Sequence, residues 1–133
     1  MIQRPLAVGL KVCQHALLDV YTRHVSLVNC YRKLRFRKLP SAPQSFTVCA
    51  VLTDGLGEVK LSMEISVLAA WGEEKHLIFR SWNETFVNPL KEKWFLVRFS
   101  QFSFPQPGNY LFALTGDGEE IAHTTLEIQE IPK

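Results

Sequence analysis

Apolar and polar residues alternate with a period of two along most of this chain, and no ten-residue window carries a helical repeat. The clearest case is Val59, Leu61, Met63, Ile65 and Val67, which alternate with Lys60, Ser62, Glu64 and Ser66. On a helix Lys60 and Glu64 would fall beside apolar neighbours, so the pattern predicts a strand with one buried and one wet face. Just upstream, Phe46, Val48, Ala50 and Leu52 alternate with Thr47, Cys49, Val51 and Thr53. Asp54-Gly55-Leu56-Gly57 separates the two runs, and this predicts a β-hairpin.

The C-terminal part carries a second strong pattern. Phe102, Phe104, Tyr110, Phe112 and Leu114 share one parity and predict one buried face. Pro105, Pro107 and Gly108 interrupt it and mark a bend where the chain changes strand. Gly116-Asp117-Gly118 predicts a turn that folds Ile121 to Ile128 back as a final hairpin. Trp94 to Ser100 is a strand with Phe95, Val97 and Phe99 on one face. The inward parity switches between Phe99 and Phe102, which predicts a β-bulge near Ser100.

The remaining elements are shorter. Leu10 to Leu18 reads as a first strand, and Asp19 to Arg23 turns the chain into a second from His24 to Phe36. There Val28, Cys30, Leu34 and Phe36 share a face. Leu39 to Gln44 holds two prolines and reads as a loop. After a turn at Trp71-Gly72-Glu73-Glu74, His76 to Trp82 forms a strand with Leu77 and Phe79 inward. Asn83 to Glu92 has no pattern and reads as the longest connection. The expected fold is all-β: an antiparallel two-sheet β-sandwich of about eight strands, immunoglobulin-like or jelly-roll-like, filling residues 1–133 as one domain.

Bulk properties narrow the function classes. A chain of 133 residues buries roughly two-thirds of the surface its unfolded form exposes, enough for a core without disulfide or metal. Apolar residues make up 47% and charged residues 21%, an ordinary globular balance that argues against disorder. The net charge of +2 directs the chain toward neither nucleic acid nor membrane. The apolar run before Lys11 is too short for a signal peptide core and far too short for a span. Cys13, Cys30 and Cys49 are widely spaced, odd in number and outside any Cys-x-x-Cys pair, so they read as reduced thiols. A cytoplasmic location follows as the expectation.

Three pieces carry a family resemblance. They are Cys13-x-x-Ala16 with Asp19 and Ser26-Leu27-Val28-Asn29, the Asp54-Gly55-x-Gly57 turn, and Phe104-Pro-x-Pro-Gly-x-Tyr-x-Phe ahead of Asp117-Gly118-Glu119. Together they resemble a family of small uncharacterised bacterial proteins, a domain of unknown function with a predicted β-sandwich fold. The resemblance implies the fold and a bacterial or phage origin. It supplies no catalytic, cofactor or ligand residues.

Candidate chemistry is sparse. Cys13 and His15 share a strand face, with His24 and Cys30 on the expected neighbour, and four such groups suit tetrahedral zinc. Structural zinc sites favour tight ligand pairs within turns, however, and these are spread out. Asp54 and Asp117 each precede glycine in a turn, which accounts for them without calcium. No Gly-x-Ser-x-Gly elbow or His-Glu-x-x-His helix is present. Trp71, Trp82 and Trp94 suit sugar stacking, but tryptophan more often closes the ends of a core. The reading is therefore a protein that is not an enzyme, with no catalytic residue, cofactor or metal.

Two features remain as contact candidates. Arg32, Lys33, Arg35, Arg37 and Lys38 place five of the fifteen positive residues in seven positions, leaving the rest of the chain net negative. Such a run either protects a sheet edge from pairing or meets an anionic partner such as nucleic acid. Phe86, Val87 and Leu90 make the long connection unusually apolar, so they either plug the core or face a protein partner. The expected function is protein–protein contact, with an unknown partner or another copy, as an accessory subunit of a bacterial or phage system. Binding of nucleic acid or another anionic ligand through residues 31–38 is the alternative.

Overall fold

The computed structural model describes residues 2–68 and 72–132, so Trp71, the first residue of the turn expected at 71–74, lies outside the described residues. Nine strands and no helix are present among them. They are β1 (Leu6–Leu18), β2 (Val25–Cys30), β3 (Lys33–Phe36), β4 (Gln44–Thr53), β5 (Gly57–Leu68), β6 (Glu74–Phe86), β7 (Lys93–Phe102), β8 (Gly108–Gly116) and β9 (Glu119–Glu130). They form a four-stranded sheet in the order β2-β1-β4-β7 and a five-stranded sheet in the order β3-β9-β8-β5-β6. The two inner faces supply one core, as in immunoglobulin-like sandwiches.

The alternating runs bury the faces that their parity requires. Val59, Leu61, Met63, Ile65 and Val67 of β5 have no exposed surface, and neither do Tyr110, Phe112 and Leu114 of β8. Phe46, Val48, Ala50 and Leu52 of β4 close the core from the opposite sheet. The register of β4 against β7 shifts between the Phe46–Phe99 and Gln44–Phe102 pairs, and Gln101 takes a left-handed backbone (φ 58°). This is the bulge that the parity change near Ser100 predicts. It turns Phe102 inward again after Phe99.

The corner after β7 is tied by one side chain. The Tyr110 hydroxyl donates to the Gln106 carbonyl at 2.6 Å and accepts from the Gln106 amide at 3.2 Å. The ring is fully buried beside Phe104, so both backbone groups of a proline-flanked bend are satisfied from inside. Burial raises the Tyr110 pKa above the ordinary tyrosine value, while the hydrogen bond with Gln106 opposes the shift. Gly108 follows with φ 145°, and a Cβ there would stand 2.8 Å from the Leu68 carbonyl oxygen. Only glycine meets both conditions.

Four local expectations need correction. The run from His24 to Phe36 is two strands, because the chain changes sheet at Tyr31 and Arg32. Val28 and Cys30 pair with β1 in one sheet, whereas Leu34 and Phe36 pair with β9 in the other. The β3–β9 pairing is parallel, so the sandwich is not wholly antiparallel, although nine strands among the described residues agree with the expected count of about eight. Asp54–Gly57 is an arch between the sheets, since β4 and β5 belong to different ones. A tight turn and two alternating flanks look alike in either case.

The fourth correction concerns β6. It continues to Phe86, so Asn83–Phe86 is strand and the connection shortens to 87–92. The β5–β6 register shifts between Ile65 and Ser66, opposite Ile78 and His76. Leu77 is the extra residue, the parity inverts beyond it, and Phe79 is 63% exposed where an inward position was expected.

Candidate protein-contact face

One end of the outer face of the β2-β1-β4-β7 sheet is apolar, where sandwich exteriors are usually polar. Its first row is Val8 on β1, Val51 on β4 and Trp94 on β7, which are partners across three adjacent strands. Residues directly opposite one another share a face, so these side chains lie side by side. Leu6 flanks the row opposite Thr53, and Leu96 lies opposite Cys49 on the next outward row. Leu6 and Val8 are 60% and 61% exposed, and Trp94 and Leu96 are 39% and 42% exposed. Trp94 is thus an outward residue of an edge strand and closes no end of the core. Trp82 instead stacks on Phe95 at 5.3 Å across the open side of the sandwich.

The β6–β7 connection stands at the same end as this row. The Pro89 carbonyl accepts from the Asp54 amide at 2.9 Å, and the Asp54 carbonyl accepts from Gln3 Nε2 at 2.8 Å. The loop, the β4–β5 arch and the N-terminal segment are therefore bonded together. Of the three expected contact residues the structure separates one from two. Phe86 is buried against the arch: a Cβ on Gly55 would fall 2.7 Å from its ring. Lys93 covers the ring from the other side at 5.5 Å while pairing with Glu84 at 2.5 Å. Val87 and Leu90 are 88% and 86% exposed. Phe86 accordingly leaves the contact set and the other two stay in it. The exposed row on β1 and β7 escaped the sequence reading, which began β1 at Leu10. Its signal was β4, whose outward Cys49 and Val51 are as apolar as its inward face.

The basic run occupies the crossover and edge strand β3. Lys33 pairs with Glu127 at 3.7 Å and Arg35 Nε donates to Gln129 at 3.2 Å, both across the parallel β3–β9 register. Arg32, Arg37 and Lys38 are exposed and make no ion pair among the described residues. Arg32 and Lys33 join Lys11 in a cleft of about 550 Å³ beside the crossover.

The zinc candidates do not assemble. Cys13 faces Cys30, but His15 faces Val28 and His24 lies in the β1–β2 turn. Among the described residues no group of three His, Cys, Asp or Glu side chains is placed to hold a metal ion. Asp117 instead bonds the Lys60 amide through its carboxylate at 3.0 Å, and Asp54 makes the backbone contacts above. No helix among the described residues is long and apolar enough to cross a membrane.

Solved structures resemble this chain at low identity. A Pseudomonas fluorescens alkylpurine DNA glycosylase, AlkC, bound to DNA with an abasic site analogue, superposes with a TM-score of 0.50 and 8% identity. The similarity covers 90% of this chain and 30% of the glycosylase. An immunoglobulin-like protein from Pseudomonas aeruginosa matches over 95% of this chain and 97% of its own (TM-score 0.45, 10% identity). A CARDB domain from Pyrococcus furiosus, in complex with di-metal ions, matches over 98% and 99% (TM-score 0.44, 13% identity). The chain spans less than a third of the glycosylase, and 17% of a Listeria innocua β-glucosidase that it also resembles (TM-score 0.48, 10% identity, over 96% of this chain). No curated protein matches it in sequence. The model of a family of unknown function, DUF6941, matches residues 10–129, and the chain belongs to that family.

Proposed function

We propose that this immunoglobulin-like domain is a non-enzymatic binding module that acts through protein contact, as an accessory subunit of a bacterial or phage system. The exposed apolar row carries the reading: Val8, Val51 and Trp94 side by side, with Leu6 and Leu96 flanking them and Leu90 at the bonded loop. Aromatic and aliphatic side chains aligned on a rigid sheet supply contact area at little cost in ordering, and such clusters mark interaction sites. The occupant that fits is a partner protein with an apolar surface of its own. Val8→Asp with Trp94→Asp tests this. Val8 is largely exposed and Trp94 points outward from an edge strand, so the double variant should stay folded, while recovery of a partner from the native host should fall at least tenfold. A folded double variant that recovers every partner of the parent ends this reading.

A second reading rests on Arg32 at the crossover and on Arg37 and Lys38 beyond β3, which make no ion pair among the described residues. They suit a phosphate-bearing or otherwise anionic partner such as nucleic acid. Filter retention of DNA at low salt should then be measurable, weaken steeply as salt rises and disappear in Arg32→Glu with Arg37→Glu. Absence of retention by the parent protein at low salt removes this reading, leaving the basic run as protection of an edge strand.

A further inference from the structure

Cysteines distant in sequence come together on the outer face of one sheet. Cys13 of β1 is the direct partner of Cys30 on β2, and Cys49 of β4 stands diagonal to Cys13. The Cys13 and Cys49 sulfurs are 3.9 Å apart. The Tyr31 amide donates to the Val12 carbonyl at 2.7 Å, which puts the hydrogen bond on the Val12–Tyr31 row. Cys13 and Cys30 therefore occupy the adjoining non-hydrogen-bonded row, where opposite Cα atoms approach to about 4.5 Å. That spacing lies inside the range a disulfide spans without moving the backbone.

The thiols differ in access. Cys30 is exposed, whereas Cys13 and Cys49 are fully buried. Cys13 is held by the Thr47 carbonyl at 3.6 Å and Cys49 by the Lys11 carbonyl at 3.7 Å. Burial raises the Cys13 pKa, and burial with the neighbouring Cys13 pushes Cys49 up to about 12. Neither buried thiol is a ready nucleophile toward a solute.

We propose that Cys30 and Cys13 form a redox site in which Cys30 reacts first with a low-molecular-weight disulfide and Cys13 then closes a cross-strand bridge. In the first step the Cys30 thiolate attacks one sulfur of the small disulfide. A mixed disulfide forms, the small S–S bond breaks, and one small thiolate leaves and takes up the proton that Cys30 lost. In the second step the Cys13 thiol loses its proton, which the departing thiolate takes up, and its sulfur attacks Cys30 Sγ. The Cys13–Cys30 bond forms and the second small thiolate leaves. The protein loses two hydrogens and two electrons, and the small disulfide is reduced to two thiols. The register supplies the high local concentration that offsets the low thiolate fraction of Cys13. The bridge ties edge strand β2 to β1 just before the chain crosses between sheets. It thus links the redox state of the surroundings to the stability of that edge.

Oxidised glutathione added to the folded, fully reduced protein is the test, read by intact mass and peptide mapping. The parent should lose two hydrogens, yield a linked Cys13–Cys30 peptide pair and melt at a higher temperature. Cys13→Ser should stop at the Cys30–glutathione adduct. Cys30→Ser should stay unmodified while folded, and Cys49→Ser should close the bridge as the parent does. A parent that stays reduced, stops at the Cys30 adduct or links Cys13 to Cys49 overturns the proposal. So does closure by the Cys30→Ser variant.

Discussion

Phe46→Ala is expected to lower the unfolding free energy by about 3–5 kcal/mol, the range for deleting a fully packed phenylalanine. Phe46 is 1% exposed and lies where the two sheets meet. It stacks on Phe99 at 5.3 Å and on Phe104 at 5.9 Å, and it meets Phe102 and Phe112 edge-on at 5.7 and 5.9 Å. Phe99 and Phe102 are on β7 of its own sheet, and Phe112 is on β8 of the other. Removing the ring strips contacts from four aromatic neighbours, three of them fixed in strand ladders, so the cavity closes only partly. Domains of this size are stable by roughly 5–15 kcal/mol, so the change consumes a large share of the total. Equilibrium urea unfolding should show a lower midpoint at an unchanged slope. Tyr21, 94% exposed in the β1–β2 turn, is the control, and its replacement by alanine should stay within about 0.5 kcal/mol. Equal melting of Phe46→Ala and the parent would refute this placement of the core.

The second expected result divides a single short segment. Phe86→Ala should cost about 3 kcal/mol, near the lower end of the same range because the site borders the end of the core. Val87→Ser with Leu90→Ser, one and four residues further on, should change stability by no more than about 0.5 kcal/mol. The contrast follows from placement. Phe86 sits between Gly55 and the Lys93 side chain with 6% of its surface exposed, whereas Val87 and Leu90 project into solvent. A Leu90 variant as destabilised as Phe86→Ala would mean that the whole loop is a plug. The loop would then drop out of the contact surface and leave only the β1, β4 and β7 row.

The redox proposal and the contact proposal share one sheet but separate experimentally. Cys13 and Cys30 lie toward the β2 edge, whereas Val8, Val51 and Trp94 lie on the far side of the register shift between Val8 and Lys11. Variants in one set should leave the readout of the other unchanged, since sites with no shared contacts behave independently.

Alternation alone determined that this chain is an all-β sandwich and which faces of β4, β5, β7 and β8 form its core. Burial demands a period of two, and a one-residue slip would expose every apolar side chain on such a strand. Even the bulge before Phe102 was legible, because the inward parity has to change there. The Asp117-Gly118 hairpin was legible for a related reason: both residues take positive φ, 48° and 85°, as a two-residue turn between paired strands requires. Pairing partners were not legible. The β4–β5 arch resembles a hairpin until the strands are assigned to sheets, and the crossover at Tyr31 and Arg32 lies inside an uninterrupted apolar–basic run. The Leu77 bulge inverts β6 with no change in composition to signal it. The candidate sites lie on the same side of that divide. Cys13, Cys30 and Cys49 meet, and Val8, Val51 and Trp94 align, only because β1 is held between β2 and β4 and β4 between β1 and β7. Strand order is set by long-range packing of the whole core, and no local stretch of residues encodes it.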